Sequence, residues 1–207
     1  MSVIGVVLAG GRSSRFGRDK ALLKIDGQTL LQRTVATLKS VTPDVLVIGP
    51  SERSEQVAGV QVVQDEVPGI GPLGGIYTAL RTRPDCSALV VAVDMPFLSA
   101  ALLGYLVQLS EQADVVLPVV GGITQQTHTV YGPECLRHIE TQITTGDYKV
   151  DRFFPKVAVR RVDEAELAAF DPRLQSFRNA NTPALWQAAL IELQDAGSTG
   201  REERRAK

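Results

Sequence analysis

The amino-acid sequence predicts an open, doubly wound α/β sheet, mostly parallel, with helices on both faces and a single domain. Three observations predict it. Runs rich in Val and Ile recur along the chain and are apolar almost without interruption, the pattern of strands buried on both faces. Segments whose apolar residues follow helical spacing separate these runs. The chain has 207 residues, of which 44% are hydrophobic and 22% charged, a globular composition long enough for one domain with a sizeable core.

Ser2 to Ala9 (SVIGVVLA) is the first predicted strand. Leu30, Leu31, Thr34, Val35 and Leu38 then recur at helical spacing and predict the first helix, followed by strands at Val45–Ile48 and Val60–Gln64. GIGPLGGI, Gly69 to Ile76, reads as a loop entering a helix from Gly75 to Arg81. Ala88–Val93 is the fourth strand, and Ser99 is placed to N-cap a helix carrying Leu102, Leu103, Leu106 and Leu109. Ala113–Val119 is the fifth strand. The order β, α, β, β, α, β, α, β is that of a Rossmann-like sheet, whose ligands sit at the carboxyl ends of the strands.

The second half is less regular. It predicts a strand at Gln126–Tyr131, a helix at Pro133–Ile143, a strand at Val157–Val162 and a closing helix at Pro183–Leu193, both helices started by Pro. No repeat or linker divides the chain, so residues 1–194 are expected to form the domain. Residues 195–207, ending in GSTGREERRAK, are small and charged and read as a disordered tail.

Composition excludes several function classes. With 22 basic and 23 acidic side chains the net charge is −1, which provides no field for a nucleic acid. No apolar stretch approaches the ~20 residues of a spanning helix, and Met1 to Gly10 has neither a basic start nor a cleavage site. A cytoplasmic protein without membrane contact is expected. Cys86 and Cys135 have no metal or disulfide spacing and read as small core residues in a reducing compartment. His128 and His138 match no metal motif and read as satisfied surface or core histidines.

The chemistry concentrates at strand ends. The first strand opens into LAGG and RSSRFGRDKALL, where Gly10, Gly11 and Gly17 let backbone N–H groups approach an anion. Arg12, Arg15 and Lys20 add the positive charge a polyphosphate requires. This is not a Walker A loop, since no Gly-Lys-Ser/Thr follows. GIGPLG formally matches a dinucleotide fingerprint, but Asp65 to Pro68 separate it from its strand and Pro72 interrupts it. Asp65 and Asp94 each close a strand, so in a parallel sheet both reach the edge where Ala9 ends the first strand. Pro96 blocks helix formation directly after Asp94, which favours Asp94 as a Mg²⁺ ligand. In FRNANTP, Thr182 and Pro183 read as a helix cap, while Asn179 and Asn181 alternate on a short strand and face one side.

LAGGRSSRFGRDKALL, GPLGGI, the aspartate of VDMPFL and FRNANTP, in this order, resemble the four signature regions of the molybdenum cofactor guanylyltransferases, the MobA family of nucleotidyltransferases. The resemblance spans Val3 to about Leu193. It implies transfer of GMP from GTP to the terminal phosphate of molybdopterin or Mo-molybdopterin, with Mg²⁺ and release of pyrophosphate. Leu8, Ala9, Gly10 and Gly11 would then lie against the nucleotide, Lys20 and Arg15 would meet its phosphates, Asp65 the nucleoside, and Asp94 the metal. Asn179 and Asn181 would face the pterin. Molybdoenzymes or cofactor-delivery proteins are the further candidate partners. The chain departs from the family at Ile48-Gly49-Pro50, where some members have an Asn near the nucleotide, and at Gln126-Thr127 and Tyr148-Lys149. A relative using CTP or a sugar 1-phosphate, or a non-catalytic carrier of nucleotide or cofactor, are the competing readings.

Overall fold

The computed structural model describes residues 2–10 and 19–193. Gly11, Arg12, Arg15, Gly17 and the charged tail lie outside the described residues. The first strand, β1 (Val3–Leu8), is central. On one side it pairs in parallel with β4 (Val45–Ile48), which pairs with β5 (Gln61–Val63). On its other side it pairs in parallel with β6 (Ser87–Ala92). Beyond β6 runs β9 (His128–Tyr131), antiparallel to both β6 and β7 (Val115–Val120), and β10 (Val159–Val162) closes the sheet parallel to β7. The sheet is thus mostly parallel, as expected, with β9 reversed within it, a direction that periodicity does not encode.

Alternation along β1 explains why the run is wholly apolar. Ile4 and Val6 pack on one face with Leu73, Ile76 and Leu80 of α2 (Pro72–Thr82) and Ile139 of α4 (Cys135–Thr144). Val3 and Val7 pack on the other with Leu31, Val35 and Leu38 of α1 (Leu30–Lys39) and Leu102, Leu103 and Leu106 of α3 (Ala100–Leu109). Burial of a Val or Leu side chain contributes about 1.5–3 kcal/mol, and β1 does this on both faces.

The helix ends follow local chemistry. Thr29 and Gln32 form a reciprocal capping box at α1, and Ser99 caps α3 as the sequence predicts. The second helix begins at Pro72 rather than Gly75, because Gly71 at φ 75° makes the turn and Pro72 is suited to the first helical position. The fourth begins at Cys135, two residues past Pro133.

Three features go beyond the sequence expectation. Asp26 and Gly27 (φ 50° and 82°) form a two-residue turn joining β2 (Lys24–Ile25) to β3 (Gln28–Thr29). Gly121 and Gly122 turn β7 into β8 (Ile123–Thr124). A short helix, α5 (Glu164–Ala168), follows β10. Ile25 and Leu30 pack with Ala180 and Trp186 in a third small core. This docks the C-terminal segment, including the last helix over 183–193, beside the start of the chain.

Cys135 is buried, and burial pushes its thiol up to about 12; Cys86 is half-buried, with Ser2 Oγ 3.0 Å from its sulfur. His128 is a core histidine but not a satisfied one. It is fully buried against the Phe177 ring at 4.6 Å, and neither ring nitrogen has a hydrogen-bond partner among the described residues. Burial pushes its pKa down to about 4, opposed weakly by the charge of Asp171. A folded pKa below the unfolded value of about 6.5 means that stability is complete above that pH and is lost as pH falls from about 6.5 to about 4, by on the order of 3 kcal/mol. Urea unfolding of wild type and His128→Leu at pH 7.5 and 4.5 is expected to show a smaller pH effect in the variant. The same pH effect in both would show that His128 is not the acid-sensitive group.

Candidate active site

The register of the parallel strands sets the site. Leu8 pairs with Ile48 and with Ala92, and Ile48 pairs with Val63, so four strands end at one level. Two residues past those ends come Gly10, Pro50, Asp65 and Asp94. At this edge a cavity of about 840 Å³ opens, lined among others by Leu8, Ala9, Gly10, Lys20, Asp65 and Asp94. It lies where the strand order reverses, since the chain runs from β1 out to β4 and β5 and then crosses back to β6 on the other side of β1, the position at which open α/β sheets bind ligands. Every expected nucleotide-site residue that is described reaches this cavity; Gly11 and Arg15 lie outside the described residues.

Lys20 is its focal cation. It starts a three-residue 3₁₀ turn, Lys20–Leu22, capped by Asp19, whose Oδ1 accepts from Ala21 N at 3.1 Å. The Lys20 ammonium donates to Asp94 Oδ2 at 2.9 Å and to Asn181 Oδ1 at 2.6 Å. Both members of the ion pair are less than one-fifth exposed. The backbone completes the link, since Ala180 N donates to Asp94 O at 2.9 Å. Residues from the first fifth, the middle and the end of the chain thereby meet around one ammonium group.

Asp65 has two roles. It borders the cavity, and its Oδ1 also accepts from Val67 N at 3.0 Å, closing an Asx turn. The turn leads into α2, whose N-cap Gly71 and first-turn residues Pro72 and Gly75 also line the cavity. A Cβ on Gly74 would come within 2.6 Å of Val67 O and 2.9 Å of Asp65 Oδ1. Glycine is therefore required for this close approach of helix and turn. Thr78 adds a further tie, accepting from Glu66 N at 3.0 Å and donating to Gly74 O at 2.9 Å.

The two asparagines separate. Residues 178–181 pair in no strand, and the two side chains meet different surroundings. Asn181 reaches Lys20, whereas Asn179 Oδ1 is buried with no hydrogen-bond partner among the described residues. Thr182 caps the last helix as expected, its Oγ1 accepting from Leu185 N at 3.2 Å. Sequence reasoning missed Arg53, which forms an ion pair with Asp19 at 2.6 Å while only 8% of its side chain is exposed. Thr127, read from the sequence only as part of a departure from the family pattern, borders the cavity just before β9. No motif marks Arg53, which lies in an otherwise polar stretch, SERSEQ.

A family model of the MobA-like NTP transferase domain matches residues 5–162. The chain belongs to this family. It is a MobA-like nucleotidyltransferase, and its curated relatives agree. A probable molybdenum cofactor guanylyltransferase from Pelotomaculum thermopropionicum is 39% identical over 184 residues, 89% of this chain and 90% of the relative. A molybdenum cofactor guanylyltransferase from Desulfosudis oleivorans is 32% identical, covering 87% and 91%. The MobA-like fold recurs in the crystal structure of molybdopterin-guanine dinucleotide biosynthesis protein A from Archaeoglobus fulgidus. That structure is 24% identical with a TM-score of 0.81, covering 93% of this chain and 99% of its own.

Proposed function

We propose that this nucleotidyltransferase joins GMP from GTP to the terminal phosphate of molybdopterin or Mo-molybdopterin, forming molybdopterin guanine dinucleotide and pyrophosphate. The observation that carries the reading is the meeting of Lys20, Asp94 and Asn181 at the mouth of the strand-edge cavity. The names of the curated relatives support the choice of substrates. In this reading the transferase domain is residues 1–194 and works in the cytoplasm. None of the helices among the described residues is long and apolar enough to cross a membrane.

The acceptor phosphate oxygen attacks the α-phosphorus of GTP as the bond to the bridging oxygen of pyrophosphate breaks. A phosphate monoester has a second pKa of about 6, so the attacking oxygen is already largely ionised and needs no strong base. The residues must instead hold two anions together and stabilise charge on the leaving pyrophosphate. Leu8, Ala9 and Gly10 present the end of β1 to the nucleotide, with Gly11 and Arg15 continuing the glycine-rich loop. Lys20 meets the phosphates, and Asp65 contacts the nucleoside from its turn. Asn181 and Asn179 serve the pterin side, Asn181 directly at the Lys20 ammonium.

A divalent ion fits the donor set. Among the described residues no group of three or more His, Cys, Asp or Glu side chains gathers to hold a metal, which disfavours a metal held by protein ligands alone. Mg²⁺ is commonly held by one or two carboxylates together with substrate phosphates and water, and Asp94 is the carboxylate at the cavity that would hold it. When bound, Mg²⁺ would neutralise triphosphate charge.

Pyrophosphate release with Mg²⁺ and molybdopterin, compared across GTP, CTP, ATP and UTP, tests the reading. Release with GTP alone is expected. Release with CTP would reassign the donor, and silence with all four would favour a carrier or another acceptor.

A further inference from the structure

Arg53 lies outside the cavity lining, yet it touches both flanks of the glycine-rich segment. Its Nη2 donates to Asp19 Oδ2 at 2.6 Å and to Ala9 O at a longer 3.4 Å. Ala9 lies one residue inside the stretch that precedes residues 11–18, and Asp19 begins the stretch after them. Arg53 itself sits in the 3₁₀ turn Ser51–Glu55 that follows β4. One guanidinium therefore ties together the ends of two neighbouring strands and the turn that carries Lys20.

We infer that Arg53 is a positioning residue for nucleotide phosphates, acting through Asp19. This rests on the reading that the cavity receives a nucleoside triphosphate. Two physical effects combine. The three-residue Lys20 turn is too short to be stable alone, and Asp19 caps it with one oxygen while Arg53 holds the other. Asp19 also lines the cavity, so its negative charge faces the place where an incoming polyanion would sit. The nearby guanidinium offsets that charge. Lysine keeps the charge but not the planar guanidinium whose Nη2 makes both contacts, so it is expected to replace this function only in part.

The two effects can be separated from plain packing. Titration calorimetry of the full-length chain with GTP, with and without Mg²⁺, is expected to show at least ~10-fold weaker binding in Arg53→Met, the effect of about 1.4 kcal/mol. Adding Asp19→Asn to that variant is expected to recover most of the loss, since the uncompensated charge disappears while the amide oxygen still caps Ala21. Arg53→Lys is expected to be intermediate and to melt within a few degrees of wild type; it carries the test should Arg53→Met not fold. Wild-type affinity in Arg53→Met or Arg53→Lys, or no recovery in the double variant, would overturn the inference while leaving the cavity reading intact. Absence of GTP binding by the wild-type chain would overturn both.

Discussion

Asp94→Ala is expected to lower turnover at least ~100-fold at saturating Mg²⁺, and Lys20→Ala to do the same, each on the scale of losing one preorganised electrostatic group. The two defects are expected to differ in kind. The Lys20 ammonium is bonded to the Asp94 carboxylate at 2.9 Å, so Asp94→Ala removes an anion that competes with phosphate for that cation. Metal-free GTP affinity should then hold or rise in Asp94→Ala and fall in Lys20→Ala. The rate in Asp94→Ala should also lose its dependence on Mg²⁺ concentration, which Lys20→Ala should retain. Near-wild-type turnover in either variant would remove the role assigned to that residue. A parallel fall in metal-free affinity for both would show that the ion pair acts as one binding unit.

Gly74→Ala is the second large effect. The added Cβ would meet a backbone carbonyl, Val67 O, at 2.6 Å and the Asp65 carboxylate at 2.9 and 3.0 Å, neither of which can rotate away without opening the turn. A stability loss of about 2–3 kcal/mol, typical of overpacking a tight site, is expected together with a rise in KM for the nucleotide as Asp65 moves. Gly75→Ala provides the contrast. There the nearest atom, at 2.6 Å, is Leu8 Cδ2, the far end of a side chain that can change rotamer. Its stability loss in urea titrations should be clearly smaller. Equal losses at the two positions would show that the Asp65 turn is not the rigid partner of the helix.

The strands were legible because burial on both faces leaves a plain chemical trace: β1, β4 and β6 admit almost nothing polar. Asp65 and Asp94 were legible for the same reason, as the first charges after apolar runs in a sheet whose strand ends share an edge. Strand direction was not legible. His128–Tyr131 is as buried as its parallel neighbours, and only pairing partners reveal that it runs the other way. The Asp26-Gly27 hairpin carries a local signal, since Asp-Gly between short extended segments marks a two-residue turn. Arg53 lacked any signal of that kind. Its partner Asp19 is 34 positions away, and an arginine among serines and glutamates looks like ordinary surface until the fold buries it. The asparagine pair shows what spacing leaves out: Asn181 reaches Lys20 while Asn179 Oδ1 is buried without a partner among the described residues, a difference that depends on the surrounding fold.

The reversed strand between β6 and β7 has a consequence for divergence. It is a seam: β5, β4, β1 and β6 form an unbroken parallel block that ends in Gly10, Asp65 and Asp94, whereas β7 and β10 belong to a second block whose pairing with the first runs through β9. Changes of loop length or side chain in the second block need not disturb the strand ends that line the first. Sequence variation is therefore expected to be tolerated more readily beyond β9 than along the four strand ends that bear the site.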